Sequence, residues 1–192
     1  MLNSKEYQDY IHHQKIKTSD PVKQTKWLTE EWEPKTKGFI EIFKTYVGAF
    51  DVNGKCVCLG SRTGQEVLAL KTLGFEDSIG IDLIAFPPYT IEADFHDLPF
   101  ENDSVSLIYT NAVDHVKEPQ IWADEINRII RKGGYILLNT QQGMHQDDYS
   151  VLDINNVQVD LIDKYFASWE CKVNKPIPQN VHAMNWEVLL QK

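Results

Sequence analysis

Two glycines stand in a short segment, residues 59–65, whose sequence is Leu-Gly-Ser-Arg-Thr-Gly-Gln. The segment joins a predicted buried strand to a predicted helix, and glycine at such a turn lets a ligand approach backbone N–H groups closely. The dinucleotide fingerprint G-x-G-x-x-G is absent, because Arg62 and Gln65 occupy its second and third glycine positions if it begins at Gly60. Gly60 and Gly64 therefore predict a ligand-binding loop that disfavours phosphate, with plain turn chemistry as the alternative.

Three further residues carry chemistry suited to a nucleoside. Asp82 ends the second predicted strand, where a carboxylate can accept hydrogen bonds from both ribose hydroxyls. The alternative is an aspartate that caps the following turn. Asp94 could accept a hydrogen bond from an adenine amino group, and the backbone of Phe95 could meet the edge of the ring. Together these residues favour an adenosine-like ligand.

Histidines follow the fourth and fifth predicted strands, in the loops over 110–115 and 141–145. Imidazole titrates near neutral pH and suits proton transfer. We expect His115 to be the first candidate for a general base and His145 the second, with Asp114 able to orient or polarise. Asn111 is expected to point into the same cleft.

The elements that must position these residues alternate between strand and helix from about Val52 onward, which indicates an α/β sheet. Strands are predicted over 55–59, 78–83, within 89–93, and over 104–110, 135–140, 168–173 and 184–190. Helices are predicted over 64–73, before a stop at the glycines of 132–134, and over 156–166.

Only five residues, 84–88, separate the second and third strands, so no crossover helix fits between them. Pro87 and Pro88 impose extended backbone there, and one face of the sheet needs another cover. Phe39, Phe43, Tyr46 and Phe50 recur at helical spacing in the aromatic N-terminal part. We expect residues 1–51 to form this helical cap and 52–192 one compact domain.

The composition narrows the functional classes. The net charge of −9 disfavours nucleic acid, and no apolar run approaches the roughly 20 residues of a membrane span, so a cytoplasmic protein is expected. The three cysteines, Cys56, Cys58 and Cys171, lack the spacing of a zinc site or a disulfide framework. We expect reduced thiols, no metal centre and no membrane partner; the oligomeric state is left open.

Five candidate site elements each follow a predicted parallel strand: Gly60, Asp82, Asp94, Asn111 and the 141–145 segment. In open α/β sheets ligands bind at the carboxyl edge of the strands. With these motifs in this order, residues 55–140 resemble the class I S-adenosylmethionine-dependent methyltransferases, in particular the small type 11 group. Within this range, the motifs that carry the resemblance also include the stretches 94–100, 104–109, 111–116 and 125–134.

The resemblance implies a Rossmann-like α/β fold with a seven-stranded, mostly parallel sheet, helices on both faces and an antiparallel last strand. It implies S-adenosylmethionine as the cofactor. The implied contacts are Gly60, Ser61, Arg62 and Gly64, with Gln65, for the methionine moiety; Asp82, with Leu83, for the ribose; Asp94 and Phe95 for adenine; and Asn111 and Ala112 beneath the sulfonium. This chain departs from the family pattern at three positions, since the family commonly has an acidic residue, glycine and aspartate where Cys58, Arg62 and Ser106 stand.

The expected function is direct methyl transfer to a small-molecule acceptor, which would lie between the cleft loops and a lid containing Trp27, Trp32 and Phe39. Ordinary packing against the sheet is the alternative for the tryptophans. Arg62 and the absent helix leave open a non-catalytic module that binds S-adenosylmethionine or S-adenosylhomocysteine and regulates a partner. A nicotinamide dehydrogenase is disfavoured by the missing third glycine.

Overall fold

The computed structural model of the protein describes residues 2–143, 149, 151–178 and 184–192. Within them the chain forms one seven-stranded sheet with the order β3-β2-β1-β4-β5-β7-β6. The strands are β1 (Cys56–Leu59), β2 (Ser78–Asp82), β3 (Thr90–Glu92), β4 (Val105–Thr110), β5 (Ile130–Thr140), β6 (Glu170–Pro176) and β7 (Trp186–Gln191). The first five run parallel, and β7 is antiparallel to β5 and β6. The predicted fold class is confirmed.

Helices cover both faces of this sheet. They are α1 (Lys5–Ser19), α2 (Pro21–Leu28), α3 (Trp32–Lys44), α4 (Gln65–Thr72) and α5 (Pro119–Ile129), with a π-helical turn at Gln158–Asp163. Because side chains alternate along a strand, β1 serves two cores. Val57 packs with Trp122 of α5 on one face, and Cys58 packs with Phe43 of α3 and Leu70 of α4 on the other.

The helix predicted from the spacing of the aromatic residues is shorter than that spacing indicates. Helix α3 ends at Lys44, and Tyr46 and Phe50 follow in turns. Both nevertheless join Phe39 and Phe43 in the same buried cluster. Burial of large aromatic side chains, rather than helical spacing alone, therefore holds this segment against the sheet.

The prediction that a helix ends at the glycines of residues 132–134 is wrong, because α5 ends at Ile129 and β5 starts at Ile130. Gly133 and Gly134 lie inside β5 and exchange backbone hydrogen bonds with Lys192. The pairing of β4 with β5 shifts register in this region. The double glycine thus marks a strand irregularity and not a helix stop.

The connection between β2 and β3 contains no helix, as predicted. The ring of Trp32 at the start of α3 packs against Tyr89 next to β3, with 5.7 Å between ring centroids. Lys15 of α1 forms an exposed ion pair with Glu92 of β3 at 2.7 Å. The N-terminal helices therefore occupy the place left by the absent crossover helix.

Cys56 and Cys58 are free and buried, and Cys171 is free and exposed. Burial raises the pKa of the Cys56 thiol to about 12. Among the described residues, no helix has the length and apolar character needed to cross a membrane.

Candidate functional site

Two adjoining cavities lie at the carboxyl ends of β1, β2 and β4. The larger has a volume of about 290 Å³ and the smaller about 90 Å³. Gly60, Arg62, Ala112 and His115 line both of them. The sequence-predicted loops after β1 and β4 therefore meet, and a ligand longer than either cavity could extend through both.

The two glycines of the first loop are required by backbone geometry. Gly60 has φ +66°, and a Cβ built on it would stand 2.6 Å from the Cβ of Ala112. Gly64 has φ +88° at the start of α4, where a Cβ would stand 2.4 Å from the Cβ of Tyr89. Gly60 thereby keeps the passage between the cavities open, and Gly64 shapes the loop without lining either cavity.

Asp82 lies in the wall of the larger cavity, together with Leu83 and Phe95. Its Oδ2 accepts a hydrogen bond from the backbone N–H of Arg62 at 2.8 Å, and Oδ1 accepts one from the N–H of Ile84 at 3.4 Å. Burial raises the pKa of Asp82 above its ordinary value, and these two donors oppose that shift. The carboxylate both fixes the glycine loop and faces the cavity.

Arg62 connects the glycine loop to the N-terminal helices. It adopts a left-handed φ of +50°, and its guanidinium carbon lies 4.3 Å from the ring centroid of Trp27. Gln65 donates from Nε2 to the carbonyl oxygen of Trp27 at 3.1 Å. Ser61 lines the smaller cavity and donates from its backbone N–H to the carbonyl oxygen of Ile81 at 3.1 Å.

Asp94 lies outside the lining of both cavities. The Tyr7 hydroxyl donates to its Oδ2 at 2.5 Å, and the Nδ1 of His96 lies 2.9 Å from its Oδ1. The backbone N–H of Glu118 donates to Nε2 of His96, so Nδ1 carries the proton of a neutral ring. This cluster fastens α1 to the sheet, while the adenine contact assigned to Asp94 stays a prediction.

The loop after β4 supplies the remaining predicted site residues. Asn111 and Asp114 line the smaller cavity. The Nε2 of His115 lies 3.9 Å from Oδ2 of Asp114, and the His115 side chain is 29% exposed. Gln141 also lines the smaller cavity, whereas His145 lies outside the described residues.

Residues 57–138 match the sequence profile of a known family, described as a methyltransferase domain of type 11. This segment is therefore similar to the class I S-adenosylmethionine-dependent methyltransferases. It contains most of β1, all of β2, β3, β4, α4 and α5, and most of β5, and hence the carboxyl ends of β1, β2 and β4 that border the two cavities. A search of curated proteins gives no significant match.

Solved methyltransferase structures share the fold. The 1,6-didemethyltoxoflavin-N1-methyltransferase of Burkholderia thailandensis, with bound 1,6-didemethyltoxoflavin and S-adenosylhomocysteine, is 11% identical at a TM-score of 0.70, covering 100% of this chain and 92% of its own. A methyltransferase from Aquifex aeolicus is 13% identical at 0.61, covering 79% and 88%. A Haloferax volcanii putative methyltransferase complex with the Trm112 activator gives 15% at 0.60, covering 91% and 96%.

The candidate site contains residues that the sequence analysis did not single out. The N-terminal helices line the larger cavity with Tyr10, Gln14, Lys17, Thr18 and Lys23, in addition to Trp27, which was predicted as part of a lid. Lys35 of α3 lines the smaller cavity, in addition to Phe39, which was also predicted there. Within the described residues no group of three or more His, Cys, Asp or Glu side chains is arranged to hold a metal ion.

Glu66 is the most unusual of the residues that were missed. It lies in the first turn of α4, is 5% exposed and lines the smaller cavity. It stands four residues before Leu70 on the buried face of the helix, and a charge at an apolar helical position was the available signal. Burial raises its pKa from 4.5 to about 7, although Arg62 and Lys35 oppose the shift.

We predict that Glu66→Gln stabilises the protein without ligand at high pH. The pKa of Glu66 is higher in the folded than in the unfolded chain, so stability falls as pH rises from about 4.5 to about 7. The variant should therefore exceed the wild type by up to about 3 kcal/mol at pH 8, and by little at pH 5. Urea unfolding at both pH values measures the difference.

Glu41→Gln is the control for this prediction, because the Glu41 side chain is 63% exposed and pairs only with Lys44 across a turn of α3. It should change stability little at either pH. An effect of Glu66→Gln that is equal at pH 5 and pH 8 would contradict the inferred ionisation.

Proposed function

We propose that the protein transfers a methyl group from S-adenosylmethionine to a small-molecule acceptor. The observation that carries this proposal is the meeting of two cavities at Gly60, Arg62, Ala112 and His115, at the carboxyl edge of the sheet. Side chains of α1, α2 and α3 line these cavities, which favours a small acceptor over a large one. The similar Burkholderia thailandensis enzyme, whose structure holds a small molecule beside S-adenosylhomocysteine, agrees with this size.

The lining of the larger cavity suits an adenosine group. Asp82 offers carboxylate oxygens for ribose hydroxyls, while Leu83 and Phe95 supply apolar surface beside an adenine ring. The smaller cavity, with Ser61 and Gln65, suits the methionine moiety. We assign Asn111 and Ala112 to the passage between them, under the reacting methyl group.

The bound cofactor supplies a methyl group already activated by its sulfonium, so the chain's own task is alignment and exclusion of water. Trp27 and Phe39 cover the cavities from the N-terminal side. We propose that they act as part of a lid, with residues 1–51 as a cap. We also propose His115 as the group that accepts a proton from the acceptor, oriented by Asp114; His145 is the second candidate.

A screen of small acceptors, read by release of S-adenosylhomocysteine, tests the function. Turnover with at least one acceptor is expected. Tight binding of S-adenosylhomocysteine without turnover on any acceptor would favour the alternative, a module that binds the cofactor and regulates a partner.

We predict that His115→Ala lowers turnover roughly a hundredfold or more while leaving the affinity for S-adenosylhomocysteine nearly unchanged. General-base catalysis contributes on that scale. The imidazole lies where the two cavities meet, and its side chain is 29% exposed. Steady-state rates and calorimetric binding together measure the two effects.

His12→Ala serves as the control, because His12 is exposed on α1 and lines neither of the two cavities. It should leave rate and affinity unchanged. If His115→Ala weakens binding and spares the rate constant of transfer, the residue belongs to the binding surface and not to proton transfer.

A further inference from the structure

The smaller cavity contains a carboxyl group, that of Glu66, one of whose oxygens has no hydrogen-bond partner among the described residues. Oε2 of Glu66 is buried and makes no hydrogen bond to any described residue. An unpaired buried carboxylate destabilises the fold unless it is protonated or a ligand pairs with it. Since Glu66 lines a cavity, a ligand is able to reach it.

The charged and titratable groups that act on Glu66 come from each element packed around it: Lys35 of α3, Arg62 of the glycine loop, Asp82 of β2, Cys58 of β1 and Tyr109 of β4. Asp114 and His115 line the same cavity from the loop after β4. These groups surround Glu66 without bonding to Oε2.

The nearest cationic side chains are already engaged elsewhere. Lys35 makes an ion pair with Glu31 at 2.5 Å, and the guanidinium of Arg62 stacks on Trp27. Both still favour the ionised carboxylate through space. A partner for Oε2 can therefore enter from the cavity, and a cation that donates hydrogen bonds would pair most strongly with the ionised carboxylate.

The lining of the smaller cavity matches a zwitterion. Lys35 and Arg62 bring positive charge to this lining, in addition to their contacts with Glu31 and Trp27, and Glu66 brings a carboxyl group. The methionine moiety of the cofactor has an α-carboxylate and an α-ammonium group attached to the same carbon. The α-carboxylate suits the positive charge of Lys35 and Arg62, and the α-ammonium group suits the carboxyl group of Glu66.

We infer that Glu66 binds the α-ammonium group of the cofactor's methionine moiety and releases a proton to solvent when it does so. This inference rests on the proposed function, which places that moiety in the smaller cavity. In the reaction the neutral carboxyl of Glu66 loses its proton, the ammonium keeps its own protons, and an ion pair forms. No other bond is made or broken.

A pH dependence of affinity follows. With the cavity empty, the pKa of Glu66 is about 7. Below that pH the ligand must displace a proton, so the apparent Kd should rise roughly tenfold for each unit of pH. Near and above pH 8 the carboxylate is already ionised, and the Kd should level off.

The test uses calorimetric titration of the full chain with S-adenosylhomocysteine, and with 5′-methylthioadenosine, which lacks the amino acid moiety. Titrations at pH 6 and pH 7.5 compare the wild type, Glu66→Gln and the control Glu41→Gln. We expect the wild type and the control to bind S-adenosylhomocysteine roughly tenfold more weakly at pH 6 than at pH 7.5. Glu66→Gln should show no such slope and should bind at least tenfold more weakly than the wild type at pH 7.5.

Titrations of the wild type in two buffers with different ionisation enthalpies count the released protons and need no variant. Between about 0.5 and 1 proton is expected at pH 6.5 to 7 with S-adenosylhomocysteine, and none with 5′-methylthioadenosine. The inference alone is overturned if the wild type binds S-adenosylhomocysteine without proton release, or if Glu66→Gln keeps both the affinity and the slope of the wild type. If the wild type binds neither nucleoside, the proposed function fails as well.

Discussion

Replacement of Asp82 by Ala is expected to weaken binding of S-adenosylhomocysteine about tenfold to a hundredfold, on the scale of about 1 to 3 kcal/mol for hydrogen bonds to a charged group. Two effects combine. The carboxylate that we assign to the ribose is lost from the larger cavity, and the backbone N–H of Arg62 loses its acceptor at 2.8 Å. Calorimetric titration at pH 7.5 measures the change.

Two variants separate these effects. Asp82→Asn keeps an oxygen that can accept the Arg62 N–H, and it should recover part of the affinity. Asp77→Ala removes an exposed carboxylate just before the opposite end of β2, where it pairs with Lys55, and should leave the affinity unchanged. An affinity of Asp82→Ala equal to that of the wild type would refute the ribose role of Asp82.

Replacement of Gly60 by Ala is expected to reduce binding of S-adenosylhomocysteine at least a hundredfold. The new methyl group would stand 2.6 Å from the Cβ of Ala112, a contact that neither short side chain can relieve by rotation. Both residues line both cavities, so any backbone shift that relieves the contact alters the passage between them. Calorimetry at pH 7.5 gives the loss of affinity, and urea unfolding gives the loss of stability.

Gly133→Ala is a matched control for this effect. Gly133 has φ +78°, close to the +66° of Gly60, but no atom lies within 4 Å of a Cβ built on it. Both variants should lose about 1 to 2 kcal/mol of stability from the left-handed backbone, and only Gly60→Ala should lose affinity in addition. Equal affinity in the two variants would show that the passage at Gly60 does not bind the cofactor.

The centre of the sheet could be predicted from the sequence because β1 and β4 are buried on both faces. Cys56, Val57, Cys58 and Leu59 are all buried, and such an apolar run before a glycine turn is a strong signal for a central parallel strand. The absence of a helix between β2 and β3 could also be predicted, because five residues with two prolines cannot form a crossover helix.

The helix boundaries and the partners of polar residues could not be predicted in the same way. A pair of glycines such as Gly133 and Gly134 occurs both at helix ends and at irregularities in strands. Their backbone pairing with Lys192, which follows β7, distinguishes the two cases. Asp94 looked free to meet a ligand because its partner Tyr7 lies far away in sequence. Long-range contacts of this kind leave no local pattern.

Two residues of the smaller cavity could not be predicted from the sequence for the same reason. Lys35 enters from α3 and Glu66 from α4, and neither position has a motif that marks it as part of a site. A charge at a buried helical position was the only local sign of Glu66. Its meaning depends on the cavity, which exists only after the N-terminal helices pack onto the sheet.

The central claim is that the two joined cavities bind S-adenosylmethionine. Calorimetric titration of the full chain with S-adenosylhomocysteine, alongside a titration with NAD, tests it most directly. We expect saturable binding of one S-adenosylhomocysteine per chain with a Kd well below about 1 mM, and no binding of NAD. Absence of S-adenosylhomocysteine binding at millimolar concentration, or preferential binding of NAD, would contradict it.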